Sequence, residues 1–359
     1  MSYRRLRSVC LYAAVLGVLV VETPGFLPAA IQHRDESPQL TGFSKSEIHM
    51  GVRFQISLYT TDQTVAEQAF AASFAEIARL ERVFSDYNNE SEARRIDAAP
   101  CDSPIELSQD MQRLLEKSLT MHRDTNGCFD VTLGSLTKLW RTARRVRSSP
   151  DPDAVDAAGQ RVGSHRLELT KCHLLKHSPG VELDFGGIAK GDAADQVLCL
   201  LKKQFGITIV LVDASGDLVA GDPPPNQPGW VAGLSRPADE PGPLTRVYLA
   251  NRALASSGDS TQFLETDQAR WSHLLDPHTK TPIIGQNLTL VWADDGATAD
   301  ALASALAVCS ATEFPVITAR FPNLAATAYR RATLDQPTTV LQTENWAALL
   351  ANHQCPADK

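Results

Sequence analysis

The chain has 359 residues, of which 43% are hydrophobic and 21% are charged, a composition typical of globular proteins rather than of disordered or multi-spanning membrane proteins. This length is sufficient for one large domain with a well-buried core. The formal net charge is −8 and no cluster of lysine and arginine offsets it, which argues against a nucleic-acid-binding surface.

The amino terminus has the layout of an export signal. Three arginines within the first seven residues precede an apolar run from Val9 to Val21, and prolines and small residues follow it. The run is short for a membrane span, and Cys10 lies at its front edge, so that no cysteine follows to accept a lipid. We expect residues 1–30 to be an export signal or an uncleaved anchor, and residues 31–46 to be a leader.

Periodicity predicts the elements of the first half of the chain. The stretch "GVRFQISLY", from Gly51 to Tyr59, alternates apolar and polar residues, which indicates a half-buried strand. Apolar residues at helical spacing predict a helix over residues 64–84 and another over residues 108–123. Residues 145–165 are rich in arginine, serine, proline and aspartate, which predicts an exposed excursion.

The second half contains more strands. We expect a strand near Val181, a helix over residues 188–203, a buried strand in "ITIVLVD", and a helix over residues 298–309. Further strands are predicted near Trp230, Val247, Ala253, Trp271 and Leu288. Because helices and strands do not alternate strictly, the sequence favours an α+β fold: one large domain over residues 47–355, with mixed, mainly antiparallel sheets flanked by helices.

The cysteines do not form a recognisable short motif. Six follow Cys10 at wide separations, so their spacing predicts neither a zinc ribbon nor a redox pair; they are Cys101, Cys128, Cys172, Cys199, Cys309 and Cys355. In an oxidising compartment some of them can pair, but the sequence does not choose the partners. We expect Cys199 and Cys309, which lie on apolar helical faces, to be buried thiols.

Several common catalytic motifs are absent or fail. "GDLVAGD" has the glycine spacing of a P-loop, but Asp222 stands where lysine is needed and would repel phosphate. There is no HExxH metalloprotease motif and no GxSxG elbow. "SGDS", at residues 257–260, resembles the nucleophile block of some esterases, but it lies late in the chain with no downstream partner beyond His273.

Two groups of residues are suited to binding a metal and a phosphate. Asp300 and Ser304 are four residues apart on a predicted helix, so their oxygens project from one face and suit a hard cation such as Mg²⁺. The alternative is that Asp300 favours the helix dipole and Ser304 only packs. "LDFGGIAKGDAADQ" places two glycines and Lys190 where a strand passes into a helix, which suits an anion or else a simple tight turn.

Two further features have both a functional and a structural interpretation. Phe129 is compatible with a core position, whereas Asp130 beside it either accepts hydrogen bonds from a ligand or caps the next helical turn. His273, in "SHLLDPHTKTP", can accept a proton near neutral pH as a general base, or can serve as a structural donor on a strand.

Taken in order, eight blocks of the chain resemble the ApbE family of FAD:protein FMN transferases. They are "HMGVRFQI", "ERVFSDYNNESEARRID", "NGCFDVTLGSL", "LDFGGIAKGDAAD", "VDASGDLVAGD", "ALASSGD", "SHLLDPHTKTP" and "ATADALASAL". The resemblance spans roughly residues 47–312. It implies an ApbE-like domain that transfers the FMN half of FAD to a threonine or serine hydroxyl of an acceptor protein and releases AMP, with Mg²⁺ at the pyrophosphate.

The resemblance also assigns roles to individual residues. His273 matches the histidine of "SHxxDP", which implies that it accepts the proton of the acceptor hydroxyl. Asp300, Ser304 in place of the usual threonine, and a backbone carbonyl at Gly187 match the metal ligands. The remaining matches are with residues that contact the flavin nucleotide: Met50, Tyr87, Cys128 in place of alanine, Phe129, Asp130, Lys190 and Leu274.

Acceptors in this family are typically subunits of membrane-associated electron-transfer complexes, which implies an exported protein in the periplasm or on the outer face of the cytoplasmic membrane. The chain departs from the family pattern around the nucleotide and the acceptor approach, at Ser135, Asp192, Ser215 and Lys280. Two other activities fit the same motifs. One is an FAD pyrophosphatase that releases FMN and AMP, and the other is an exported FAD-binding protein without catalysis.

Overall fold

The computed structural model describes residues 39–237, 245–267, 269–333 and 336–355. The predicted export signal lies outside these residues, as do residues 31–38 of the predicted leader. Among the described residues, no helix combines the length and apolar character that a membrane span requires.

The described residues form sixteen strands and nine α-helices. In chain order the strands are β1 (Thr41–His49), β2 (Val52–Thr60), β3 (Ile105–Glu106), β4 (Leu167–Leu169), β5 (His173–Lys176), β6 (Val210–Ala214), β7 (Asp217–Ala220), β8 (Trp230–Gly233), β9 (Arg246–Leu249), β10 (Arg252–Gly258), β11 (Phe263–Glu265), β12 (Arg270–Asp276), β13 (Thr281–Ile284), β14 (Gln286–Ala293), β15 (Ala325–Arg331) and β16 (Thr339–Gln342). The helices are α1 (Gln63–Phe84), α2 (Glu92–Ala98), α3 (Gln109–Asp124), α4 (Gly134–Val146), α5 (Pro152–Gly159), α6 (Ala189–Leu200), α7 (Gly296–Val308), α8 (Glu313–Thr318) and α9 (Trp346–His353).

An eight-stranded antiparallel sheet is the centre of the fold, with the strand order β1-β2-β6-β7-β10-β14-β15-β16. Three small sheets accompany it: β11-β12-β13, β3-β5-β4 and β8-β9. The main core lies between the large sheet and helices α1, α3, α6 and α7. A second cluster with Trp230, Trp292 and Trp346 packs apart from this core. The predicted α+β fold class with mainly antiparallel sheets is confirmed.

Helix α1 shows why the periodicity in this region predicts a helix. Asp62 caps its amino end by accepting a hydrogen bond from the Thr64 amide at 2.6 Å. The apolar stripe is buried along its length: Phe70, Phe74, Ile77, Leu80 and Phe84. The stripe therefore packs on the core, as the spacing predicts.

The large sheet begins earlier than the predicted domain start at residue 47. β1 starts at Thr41 and pairs along its length with β2 through a two-residue hairpin turn at Met50 and Gly51. Both turn residues have positive φ, 49° and 73°, as the tight turns that match strand twist require. β1 was missed because it is an edge strand that is mostly exposed, and its sequence therefore lacks an apolar face.

Two predictions for the middle of the chain are wrong. Residues 145–165 are not simply an exposed excursion, since they contain α5, and Ala158 and Val162 pack into a cluster with Trp140 of α4. No strand forms at Val181, where the structure has only an isolated bridge between Leu133 and Glu182. The chain turns into α4 directly after that bridge, which leaves no length for a ladder.

All six cysteines of the described residues are free thiols. Cys309 is buried, as predicted, whereas Cys199 is only half-buried. The face of α6 that carries Cys199 is therefore more exposed to solvent than its apolar sequence predicts.

Helices α6 and α7 approach each other closely enough to exclude side chains. A Cβ atom at Gly191 would lie 2.1 Å from the carbonyl oxygen of Gly296, and a Cβ at Gly296 would lie 2.5 Å from the carbonyl oxygen of Gly191. Both neighbours are backbone atoms and cannot rotate away. This contact brings Lys190 of α6 next to Asp300 of α7.

We expect Gly191→Ala to force these helices apart and to lower stability by about 1–3 kcal/mol through overpacking. Activity should fall further than stability explains, because Lys190 and Asp300 would separate. Gly206→Ala is the matched control: it has open space and φ +65°, so it should lose only about 1–2 kcal/mol from backbone strain. Thermal unfolding of both variants, together with the flavin-transfer activity that the family resemblance implies, tests this. Equal activity in the two variants would contradict it.

Candidate active site

A cavity of about 860 Å³ opens between the large sheet, α4, α6, α7 and β12. This size is suitable for a cofactor-sized ligand. All eleven residues that the sequence suggests for the site line this one cavity: Met50, Tyr87, Cys128, Phe129, Asp130, Gly187, Lys190, His273, Leu274, Asp300 and Ser304. Residues far apart in the chain are thus gathered around a single space.

Asp300 and Ser304 occupy successive turns of α7, as the spacing predicts. Asp300 is buried, and its Oδ2 accepts a hydrogen bond from the Gly191 amide at 3.2 Å. Ser304 Oγ makes no hydrogen bond to any residue that the structure describes. Gly187 lies against it, since a Cβ atom there would be 2.8 Å from Ser304 Oγ. The Asp300 carboxylate, the Ser304 hydroxyl and the turn formed by Gly186 and Gly187, which we call the glycine turn, therefore lie close together.

Lys190 connects this group to a second carboxylate that the sequence did not single out. Its Nζ lies 3.1 Å from both carboxylate oxygens of Asp300 and 3.1 Å from Asp217 Oδ2. Burial would lower the pKa of Lys190, but Asp217 and Asp300 outweigh it and hold that pKa above its ordinary value. Burial and the Asp300 charge raise the pKa of Asp217 despite the ammonium.

This donor set fits Mg²⁺. The buried carboxylates of Asp217 and Asp300 both pair with the single ammonium of Lys190, so the cluster can accept a further positive charge. Ser304 supplies a hydroxyl one helical turn from Asp300, and Gly187 lies against that hydroxyl. Hard divalent cations prefer carboxylate, hydroxyl and carbonyl oxygens as ligands. Asp300, Ser304 and the Gly187 carbonyl are thus suited to hold the ion, and Asp217 balances Lys190 beside it.

His273 lies on β12 at the other side of the cavity. Its Nδ1 is 3.2 Å from the carbonyl oxygen of Gln262, which can only accept a hydrogen bond, so Nδ1 carries the hydrogen and Nε2 has the lone pair. Burial lowers the pKa of His273 to about 4, and the Arg144 charge adds to this effect. The ring is therefore a neutral proton acceptor at physiological pH.

Asp130 lines the cavity and is held by several hydrogen bonds within the protein. Its Oδ1 accepts hydrogen bonds from Thr132 and from the hydroxyl of Ser164, and its Oδ2 accepts one from the Ser164 amide at 3.0 Å. His122 Nδ1 is 3.3 Å from the same carboxylate. These internal partners hold Asp130 in place in the cavity wall, and its contact with the flavin nucleotide stays a prediction.

Two arginines of α4 also line the cavity and were missed, because no helix was predicted over residues 134–146. Arg141 pairs with Asp86 at 2.9 Å and lies 3.9 Å over the ring of Tyr87, which is 73% exposed. Arg144 is half-buried and has no ion-pair partner among the described residues. The three-residue spacing in "RTAR" was the available signal, since it places both guanidinium groups on one helical face.

A second cavity, of about 1000 Å³, contains none of the eleven residues. Six of its charged side chains pair with one another: Arg113 with Asp192, Lys117 with Asp295, and Arg252 with Asp294. Because these groups satisfy one another's charge, we place the functional site in the smaller cavity.

By fold, the protein is an α+β protein of the flavin-transferase type. It is similar to the flavin transferase ApbE of Vibrio cholerae, with a TM-score of 0.77 at 21% identity, covering 87% of this chain and 100% of that one. The apo flavinyl transferase ApbE of Pseudomonas stutzeri gives a TM-score of 0.76 at 26% identity, covering 87% and 97%.

A sequence model of the ApbE family matches residues 50–328, and the chain belongs to this family. An FAD:protein FMN transferase of Klebsiella pneumoniae (strain 342) is 30% identical over 247 residues, which are 67% of this chain and 74% of that protein. One of Salmonella typhimurium is 27% identical over 290 residues, covering 77% and 78%. The resemblance drawn from the ordered motifs is confirmed.

Proposed function

We propose that this protein is an FAD:protein FMN transferase that works with Mg²⁺, moves FMN from FAD to a threonine or serine hydroxyl of an acceptor protein, and releases AMP. One observation supports this above the others: a single cavity is lined by the oxygens of Asp300 and Ser304 on α7, which suit a cation, and by His273 on β12, whose lowered pKa keeps it neutral. Family membership supports the same reaction, because the match to relatives named FAD:protein FMN transferase extends over most of the length of those relatives.

The reaction requires one bond to form and one to break. The acceptor oxygen bonds to the phosphorus on the FMN side of the pyrophosphate, and the bond from that phosphorus to the bridging oxygen breaks as AMP leaves. The acceptor proton passes to His273 Nε2, because Nδ1 already donates to the Gln262 carbonyl. A bound Mg²⁺ supplies charge neutralisation at the phosphate oxygens.

The chain's own groups bind and orient the substrates. Lys190 sits at the first turn of α6, beside the glycine turn, where backbone amides and an ammonium together suit a phosphate group. Tyr87 and Arg141 present a stacked pair at the cavity mouth, which suits a planar ring of the nucleotide. Phe129 and Leu274 form an apolar part of the cavity wall.

The location of the protein belongs to the same proposal. The amino-terminal arginines and apolar run support export, and a transferase with that signal would meet acceptor subunits of membrane-associated electron-transfer complexes on the outer side of the cytoplasmic membrane. Fractionation of cells that express the full chain tests this, and recovery only in the cytoplasm would contradict it.

The activity is tested by incubating the purified protein with FAD and Mg²⁺, with and without a flavin-acceptor protein. AMP release that depends on the acceptor, with an FMN mass added to its threonine or serine, supports transfer. Equal release of free FMN and AMP without acceptor would instead show an FAD pyrophosphatase. FAD binding without AMP under both conditions would show a binding protein.

The pH dependence of transfer should reveal the lowered pKa of His273. His273 must be neutral to accept a proton, and its pKa of about 4 keeps it neutral through the mildly acidic range. Arg144 and Lys190 disfavour the charged ring, whereas Asp259 and the Gln262 carbonyl favour it. We expect protonation of His273 to lower kcat/KM only as the pH falls towards about 4. An acid limb centred near the ordinary histidine pKa of about 6.5 would contradict this. Circular dichroism at each pH controls for unfolding.

A further inference from the structure

Three residues that are distant in sequence meet beside the cavity. The ligand atoms of Cys128, His278 and Glu313 all lie within 4.8 Å of one another. The thiol is buried, the carboxylate is partly buried and the imidazole is exposed, so the cluster is accessible from solvent on the histidine side. The flavin-transfer reaction proposed above uses neither His278 nor Glu313.

We propose that these three side chains form a second metal site, selective for a thiophilic divalent cation such as Zn²⁺. A thiolate, a carboxylate and a neutral imidazole together balance the two positive charges of the ion, and these are the ligand types that Zn²⁺ prefers. Tetrahedral Zn²⁺ with bonds of about 2.0–2.3 Å needs ligand atoms roughly 3.3–3.7 Å apart, so a small closure of the side chains completes the site. Water takes the fourth position.

Hydrogen bonds to neighbouring groups orient the side chains of Glu313 and His278. Glu313 Oε2 accepts hydrogen bonds from the amide and the hydroxyl of Ser310, at 2.9 and 2.7 Å, while Oε1 has no partner among the described residues. For His278, Nε2 is 3.0 Å from the Asn126 carbonyl and Nδ1 is 3.6 Å from Asp276 Oδ1. Whichever ring nitrogen binds the cation, the other has an oxygen acceptor, as metal-binding histidines usually do.

The site is chemically distinct from the oxygen cluster around Asp300. Mg²⁺ prefers an all-oxygen shell and has little affinity for a thiolate, whereas sulfur and nitrogen ligands select zinc and related ions. The two cations would therefore occupy separate places in one molecule.

A cation here would join three segments that carry cavity residues. Cys128 lies in the turn between α3 and α4, directly before Phe129. His278 follows β12, the strand of His273, and Glu313 begins α8 after α7. Binding would fix these segments relative to one another and thereby restrain the rim of the flavin cavity.

Cobalt titration tests the site, because Co²⁺ bound to a thiolate has a ligand-to-metal charge-transfer band. The full chain, reduced and stripped of metal, is titrated with CoCl₂ in excess Mg²⁺ and without FAD. We expect one equivalent to bind, the band to disappear when ZnCl₂ displaces cobalt, and Zn²⁺ to raise Tm. Cys128→Ala should abolish the band, and Glu313→Gln should weaken Co²⁺ binding at least tenfold.

Two controls separate this site from others. Cys172→Ala removes an exposed thiol elsewhere and should leave the titration unchanged. Asp300→Ala should also keep the cobalt band, so a failure of the proposed transferase chemistry would not affect this result. A band that persists in Cys128→Ala, a loss of the band in Cys172→Ala, or the lack of any band in the parent chain would overturn the proposal.

Discussion

Replacing Asp300 with alanine should abolish Mg²⁺-dependent AMP release, with a fall in kcat of about 10²–10³-fold or more, the scale seen when a main source of transition-state charge stabilisation is removed. Asp300 is the carboxylate next to both Ser304 and the glycine turn, and it also holds Lys190 at 3.1 Å. Its loss removes the anionic ligand of the cation and releases the lysine. The measurement is AMP formed from FAD at several Mg²⁺ concentrations.

Ser304 supplies the matched pair of variants for this test. Ser304→Ala removes the free hydroxyl and should weaken the Mg²⁺ dependence, whereas Ser304→Thr keeps a hydroxyl at the same position and should retain activity. FAD binding and thermal unfolding are recorded for all three variants, so that a folding defect is not mistaken for a lost ligand. Full activity of Asp300→Ala at low Mg²⁺ would refute the assignment of the metal site.

The part of this site that sequence could predict lies on elements with strong local signals. The i, i+4 relation of Asp300 and Ser304 follows from helical geometry once the alanine-rich segment is recognised as a helix. The glycine turn before Lys190 is equally visible, because it lies between a buried stretch and a helix. Strands with clear alternation, such as β2 and β14, were located for the same reason.

What could not be predicted depends on tertiary contacts. Asp217 begins β7 after an ordinary two-residue turn, and only the packing of α6 against β7 brings it to Lys190. Arg144 directly precedes the stretch predicted to be exposed, residues 145–165, and only the formation of α4 places it in the cavity lining. Likewise, the wide spacing of the cysteines predicts neither a zinc ribbon nor a redox pair, but folding brings Cys128 to His278 and Glu313.

The closeness of α6 and α7 also explains why the cluster around Lys190 is held in place. α7 is buried on almost every side and packs on both β10 and β14. Asp195 of α6 accepts hydrogen bonds from the Gly296 and Ala297 amides at the start of α7. Burial and the Asp295 charge raise the pKa of Asp195 to about 7. The two helices thus form one unit, and we expect a change in either to move Lys190 and the proposed cation ligands Asp300 and Ser304.

Replacing His273 with glycine should retain FAD binding while transfer falls by about 10²–10⁴-fold, the usual contribution of a positioned general base. The ring contributes no ligand to the Asp300 cluster, and its Nδ1 hydrogen bond to Gln262 is local to the β12 region. Binding and chemistry should therefore separate: the Kd for FAD changes little, and kcat for transfer falls. Fluorescence titration with FAD and single-turnover labelling of an acceptor measure the two quantities.

Chemical rescue then distinguishes a base from a residue that only shapes the wall. The glycine variant leaves a space of imidazole size, so added imidazole should restore part of the transfer rate, whereas a bulkier amine should not. In the parent enzyme, burial lowers the pKa of His273 to about 4, so activity is lost only near that pH as the solution is acidified. Free imidazole has its ordinary, higher pKa, so we expect the rescued activity to be lost at a higher pH during the same acidification. Unchanged turnover in His273→Gly, or rescue with the parent pH profile, would exclude proton transfer by this side chain.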